Sequence, residues 1–411
     1  DEGQTVHYPE IGTEAFDAET FLHETEARTD LVITDKVRYT NVVPGIEYTV
    51  TGKLMNAKTE QPITDAAGNE VTSTATVVPT EKDGVAEVEF KFDASLLRGE
   101  TAVAFETWSY KDFVLAVHAD ITDAPQTVYF PDIKTTATSQ TSGSKLLDPI
   151  DVEIIEDEIH YSNVIVGHKY LIKGSLIDVA TGEALKDADG KEIANSVEFT
   201  AETTEGSIKM DFGKLKASEL KGKSIVVYEA LYNVDGKDEI TLVKEHVTTN
   251  IDQTVTVTEP TVKTVLAETD TNNKAISANE TVKLTDTIEY KGLIPGNTYK
   301  TVSTLVDAKT GKTIQDKAGK DIVVEATVTP DKDVVVGTAT FEFDGSNLAG
   351  KTVVAYEDVY RVIDGKDYLI AQERDLKNTD QTVTFPEIKT TATSQATGTH
   401  TLEMAEKAVI V

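Results

Sequence analysis

The sequence predicts an all-β chain of tandem Ig-like β-sandwich domains strung into an elongated rod. Three observations predict it. The first is a junction that recurs. It reads QTVYFPDIKTTATSQ from Gln126 and QTVTFPEIKTTATSQ from Gln381, with a degraded copy, QTVHYPEIGTEAF, from Gln4 and a looser one, QTVTVTEPTVKTVL, from Gln253. Its opening threonines, Thr13, Thr135, Thr264 and Thr390, fall about 125 residues apart, too far for a solenoid repeat and far enough for each unit to bury its own core. The second is a hydrophobic period of two in Val-, Tyr- and Ile-rich runs such as VVAYEDVYRVIDGKDYLIAQE from Val353 and IVVYEALYNVDGKDEITLVKE from Ile225. The third is turn chemistry at short intervals: Asp235-Gly236 and Asp364-Gly365, and Pro44-Gly45, Gly167 and Pro295-Gly296, each of the last three shortly before a tyrosine (Tyr48, Tyr170, Tyr299).

The junctions set the boundaries. Residues 1–8 read as the tail of a preceding repeat, 9–130, 131–258 and 259–385 as three complete domains, and 386–411 as the truncated start of a fourth. Pro9, Pro131, Pro260 and Pro386 stiffen the connections. Helical signal is confined to DASLLRGE, KASELKGK and DGSNLAGK, each long enough for a single turn between sheets. The chain begins at Asp1 and opens inside a repeat, so it reads as a piece of a longer protein.

A formal net charge of −32 over 411 residues argues against nucleic acid or an anionic membrane as partner and for a solvated, self-repelling surface, expected of a monomer. With no cysteine, any covalent staple must come from other chemistry. No apolar run is long enough to span a bilayer as a helix.

Laying the three units together singles out five positions. They are the opening threonine (Thr13, Thr135, Thr264), an aspartate four residues before a tyrosine (Asp35, Asp157, Asp286), a glutamate after an aromatic in a Val-rich strand (Glu106, Glu229, Glu357), a polar residue eight before the end (His118, Glu245, Glu373), and the closing glutamine (Gln126, Gln253, Gln381). Taken singly, each has an ordinary structural explanation; their joint recurrence, in the same order three times, is what points to chemistry. His7, His23, His160, His168 and His400 stay structural or surface residues, and Asp65, Asp187 and Asp316 beside glycines read as turns, without the spacing of an EF-hand calcium loop. No cofactor is expected.

AVAFE at Ala102–Glu106 and HADITDAPQTV from His118 make the chain resemble the Thr–Gln ester-bond, or VaFE-repeat, domains of Gram-positive surface adhesins. The resemblance covers nearly the whole chain. It implies that the threonine hydroxyl attacks the glutamine side-chain amide, that ammonia leaves, and that an ester joins the first and last strands, which lie as neighbours. Thr13 is then the nucleophile, Gln126 the electrophile and His118 the proton carrier. Asp35 and Glu106 form a pair of which one member stays protonated and donates to the amide oxygen. The second and third domains depart from the pattern: Glu245 and Glu373 replace His118, with His246 one residue further on and Arg374 in the third domain. Each reaction consumes its own Thr and Gln, so no turnover enzyme is implied. The expected role is a stalk segment, extracellular and anchored to a cell wall, with neighbouring repeats as partners and a host-surface ligand left to a head domain outside this sequence. The rivals are Ig-like repeats that bind a host glycan or protein without crosslinks, and Lys–Asn isopeptide domains, for which no recurrent Lys and Asn stand in the opening and closing strands. Trp108 is the sole tryptophan, so no aromatic cluster favours a glycan. Thr390 lacks a glutamine here, and Gln4 lacks its threonine.

Overall fold

The computed structural model describes residues 8–244, 250–395 and 398–400, and its regular elements are nearly all strands. The first domain contains β1 (Glu10–Asp17), β2 (Leu31–Thr40), β3 (Tyr48–Asn56), β4 (Thr72–Val77), β5 (Gly84–Phe92), β6 (Thr101–Tyr110), β7 (Phe113–His118) and β8 (Thr127–Tyr129). Two sheets result, β1-β2-β5 and β4-β3-β6-β7, with β8 following β7 along the same edge of β6. Period two decides what each strand turns inward. In β2 these are Leu31, Ile33, Asp35, Val37 and Tyr39; in β6 they are Ala102, Ala104, Glu106 and Trp108. One carboxylate thus sits among the apolar residues of each sheet's inner face. Around Trp108, fully buried, Tyr39 and Tyr48 pack at ring-centroid distances of 4.9 and 5.3 Å.

The second domain repeats this plan with β9 (Asp132–Ser139), β10 (Leu146–Leu147), β11 (Glu153–Ser162), β12 (Lys169–Asp178), β13 (Ala194–Thr200), β14 (Glu205–Leu215), β15 (Ser224–Asn233), β16 (Ile240–Lys244) and β17 (Thr254–Val257). The third has β18 (Thr261–Glu268), β19 (Val282–Lys291), β20 (Tyr299–Asp307), β21 (Val323–Val328), β22 (Val334–Phe343), β23 (Thr352–Ile363), β24 (Lys366–Glu373) and β25 (Thr382–Thr384). The sheets of the first two domains pack as one compact unit and those of the third as another. Inside the first unit, buried Glu24 accepts from the Tyr170 hydroxyl at 2.7 Å and from the Asn233 amide, so the first domain is tied to the second through a satisfied polar contact.

The turns before the tyrosines have a shared cause. Gly45, Gly167 and Gly296 adopt φ of +77°, +88° and +84°, and the hydroxyls of Tyr48, Tyr170 and Tyr299 accept from the backbone N–H of Val43, Ile165 and Ile294 at 2.8–2.9 Å. Asp364-Gly365 has positive φ at both positions, as a two-residue hairpin demands, whereas Asp235-Gly236 lies in a wider loop between β15 and β16 and Gly236 is not left-handed. Of the three expected helical turns, Ala217–Glu219 is a 3-10 turn; the other two are each two successive hydrogen-bonded turns, Leu97 N–H to Ala94 O with Glu100 N–H to Leu97 O, and Leu348 N–H to Gly345 O with Lys351 N–H to Leu348 O. Asp65, Asp187 and Asp316 do form turns, each accepting from two backbone amides just ahead.

Candidate functional site: a threonine–glutamine contact in each domain

Each site is assembled where the first strand of a domain meets the turn that leads into its last. That turn is a 3-10 turn the sequence reading did not anticipate: Ala124–Gln126, Ile251–Gln253 and Thr379–Gln381. The next residue's hydroxyl locks it, Thr127, Thr254 and Thr382 donating to the carbonyls of Asp123, Asn250 and Asn378 at 2.7–2.8 Å. The glutamine side chain is thereby aimed inward, and Gln126, Gln253 and Gln381 are all buried. The two strands are neighbours, as expected, but not within one sheet. β1 belongs to the three-stranded sheet, while β8 hydrogen-bonds to β6 in the other, so threonine and glutamine face each other across the sandwich.

In the first domain the Gln126 amide nitrogen lies 2.5 Å from Thr13 Oγ1 and 2.7 Å from Glu106 Oε2. His118 Nδ1 is 3.3 Å from the same hydroxyl, and its Nε2 meets Asp123 Oδ2 at 3.1 Å. A bulge places it there. The β6–β7 register shifts between Trp108 and Ser109, and the slip brings His118, not Val117, opposite Glu106. Asp35 accepts from the Glu14 N–H at 3.1 Å. Its other oxygen and Glu106 Oε1 meet no N–H or hydroxyl donor, while the two carboxyl groups touch each other. Such a pair holds a proton. Burial, then the Asp35 carboxyl, pushes Glu106 up to about 10; burial also raises Asp35, against the pull of Glu106, the Glu14 amide and His118. With Asp35 accepting from the Glu14 N–H, the proton the pair shares is assigned to Glu106, the member that faces the amide. Gln126 Oε1 is buried without a partner. A half-turn of the amide puts that oxygen where the nitrogen lies, 2.7 Å from Glu106 Oε2, where the carboxylic acid donates to it.

The second domain repeats the contact. Gln253 Nε2 lies 2.5 Å from Thr135 Oγ1 and 2.6 Å from Glu229 Oε2, and Thr135 Oγ1 is 3.4 Å from the same carboxyl. Burial raises Asp157, which touches Glu229 as Asp35 touches Glu106. The Asn250 amide donates to Gln253 Oε1 at 3.0 Å. Glu245 and His246, the two candidates for the place of His118, lie outside the described residues.

The third domain brings the reacting pair together differently. Gln381 Nε2 is 2.9 Å from Thr264 Oγ1, but Glu357 is engaged by the hydroxyls of Ser303 and of Tyr290, the latter at 3.2 Å. Ser303 stands opposite Glu357 where Gly52 and Gly174 stand opposite Glu106 and Glu229. A Cβ at Gly174 would meet Met210 and Phe212; the residue at the Met210 register position is Ala339, which leaves room for serine. Burial pushes Asp286 and Glu357 each up to about 7. Glu373 does hold the register position of His118, opposite Glu357, yet its carboxylate accepts from the Asp375 N–H at 3.3 Å and is not joined to Thr264. Arg374 is spent on Asp358 at 2.8 Å. Thr390 is exposed and outside any strand, and Gln4 lies outside the described residues.

Every candidate among the described residues except Glu373 is thus gathered at its domain's site. The sequence reading missed Asp123 and Ser303. The signal for both was positional: three before the glutamine, and opposite the glutamate.

Comparison with known families places the chain. The model of the T-Q ester bond containing domain matches residues 9–130, 131–257 and 260–385. No curated protein matches the chain. Similar solved structures include a Mobiluncus mulieris bacterial adhesin containing intramolecular disulfide, isopeptide and ester bond cross-links, at 14% identity over 65% of this chain and 91% of that one with a TM-score of 0.25. Two others are a tetra-tandem repeat from the extending region of a large adhesion protein (15% identity, 89% of this chain and 73% of that one, TM-score 0.29) and a 1.5-MDa bacterial ice-binding adhesin (14%, 92% and 98%, TM-score 0.28). TM-scores this low lend no weight to any detail of the site. The three family matches together span nearly all of the described residues, and the chain belongs to the family of T-Q ester bond containing domains.

Proposed function

We infer that this chain is a stalk segment of a surface adhesin, extracellular and held at a cell wall, whose domains condense Thr13 with Gln126, Thr135 with Gln253 and Thr264 with Gln381 into intramolecular esters. The observation that carries the reading is the buried Thr–Gln contact at 2.5, 2.5 and 2.9 Å, each beside a buried Asp–Glu pair in which burial raises the aspartate.

The geometry supports an ordered sequence. His118 takes the Thr13 proton as Oγ1 forms its bond to Gln126 Cδ. Charge develops on Oε1, and the Glu106 carboxylic acid donates to it. The C–N bond then breaks, the nitrogen collects the proton held by His118, and ammonia leaves. One O–C bond has replaced one C–N bond, with no oxidant and no cofactor. Holding both partners in contact supplies an orientation advantage of ~7–11 kcal/mol. Burial of Thr13 and Gln126 then keeps water from the ester. Protease digestion followed by mass spectrometry is expected to yield a peptide with Thr13 joined to one with Gln126; separate peptides carrying an intact amide would reject the crosslink.

The carboxyl groups set a pH dependence. A donor acts only while protonated, so its contribution is present below its folded pKa and lost above it. Condensation in the first domain is expected to hold through neutral pH and decline only towards about pH 10, where Glu106 loses its proton, whereas the third domain, whose Glu357 is held away from Gln381, gains no such dependence until Ser303 is removed. Refolding the chain across a pH series and following each linked peptide over time checks this. Ser303→Gly, which frees Glu357 to meet Gln381, is expected to speed the third domain's reaction by about tenfold, the worth of ~1.4 kcal/mol, in the same assay.

A further inference from the structure

Among the described residues no histidine reaches Thr135 or Thr264, yet both domains hold Thr and Gln in contact, at 2.5 and 2.9 Å. Ten residues beyond each opening threonine stand His23, Lys145 and Lys274. Lys145 Nζ donates to the carbonyl of Ala137 at 2.6 Å and to that of Asp252. Lys274 Nζ donates to the carbonyl of Asp380 at 2.5 Å and to that of Leu266. The pattern is the same twice. One carbonyl lies two residues beyond the reacting threonine on the opening strand, and the other belongs to the residue just before the reacting glutamine. In the first domain His23 makes no such bridge, and its Nδ1 is buried without a partner. There His118 joins the same two segments, touching Thr13 on one side and Asp123 of the closing turn on the other. In the second and third domains the Asp123 position is Asn250 and Asn378, neutral caps of their turns.

Resting on the crosslinking reading above, the geometry points to Lys145 and Lys274 as the positioning residues of the condensation in their domains. Each ammonium clamps the opening strand to the closing turn and so keeps hydroxyl and amide in contact, the place His118 fills in the first domain. The clamp also carries charge to the site: Lys145 counters the burial-driven rise at Asp157, and Lys274 does so at Asp286. Both lysines are half-buried, and burial in turn pulls their own pKa values down. A protein that spends a half-buried cation on two backbone carbonyls at the same place in two copies is fixing a distance that matters there.

The test uses the full chain, unfolded and refolded, with each domain's linked peptide followed by mass spectrometry. The unaltered chain is read first: an intact Gln253 or Gln381 amide there overturns the crosslinking reading itself, before any lysine is changed. With linkage present, Lys145→Met is expected to slow the second domain's reaction by about 100-fold while the first and third keep their rates, and Lys274→Met to slow the third alone. Lys145→Arg, which keeps the charge and the donors, is expected to restore the rate. His118→Ala should slow the first domain and spare the other two. An unchanged rate in Lys145→Met, with the domain folded by circular dichroism, would overturn the assignment, as would an arginine variant that folds and stays slow. If Lys145→Met does not fold, Lys145→Gln, which keeps an N–H donor without the charge, carries the same comparison.

Discussion

Pulled from its two ends, the chain is expected to stretch little until its backbone breaks or detaches. Force enters a domain at its first strand and leaves by its last. β1 and β8 lie in different sheets, and β8 is held to β6 by three residue pairs, so without a crosslink the load falls on a short ladder and on β1's pairing with β2. An ester from Thr13 to Gln126, as proposed, would carry the load between the sheets directly. It would shield a span of 113 residues, and the other two esters would shield 118 and 117. Replacing Thr135 with alanine is therefore expected to add one extension step of about 400 Å, the contour of a span that size at ~3.5 Å per residue, in single-molecule force spectroscopy. The unaltered chain should show no such step. Crosslinks closing loops of this size also disfavour the unfolded chain by about 4–5 kcal/mol each if the chain-entropy account of disulfides carries over, so the same variant should unfold at a lower temperature.

Glu106→Ala is expected to leave the first domain's amide unreacted over hours while the other two domains still condense. The side chain removed is the acid placed 2.7 Å from the amide, and losing one such donor typically costs about 10²–10³ in rate. Glu229→Ala should do the same in the second domain. The corresponding change at Glu357 should matter less, because Ser303 and Tyr290 already hold that carboxyl away from Gln381. Time courses of linked peptide from each domain check the ranking; a first domain that condenses at its normal rate without Glu106 would remove the acid from the mechanism.

Much of this was legible in the residues because period two is a strong signal. Asp35 breaks the inward run of Leu31, Ile33, Val37 and Tyr39, and Glu106 breaks that of Ala102, Ala104 and Trp108; in both cases an acid stands where an apolar residue belongs, three domains over. The repeat spacing located the threonines and glutamines. What periodicity cannot say is which sheet a strand joins, so the opposition of β1 and β8 across the sandwich had to come from coordinates. Nor does it reveal a one-residue bulge, and it is the slip at Trp108 that turns His118 towards the site. Lys145 and Lys274 escaped notice for another reason: a lone lysine in a loop is ordinary, and their meaning lies in two backbone carbonyls that carry no sequence mark. Ser303 was hidden because its counterparts, Gly52 and Gly174, read as strand glycines without chemistry.

The claim on which the account stands is that each domain has joined its threonine to its glutamine, and the mass of the intact, denatured chain tests it most directly. Three condensations predict a chain lighter than its sequence by three molecules of ammonia, about 17 Da apiece. A mass equal to that of the sequence would contradict it.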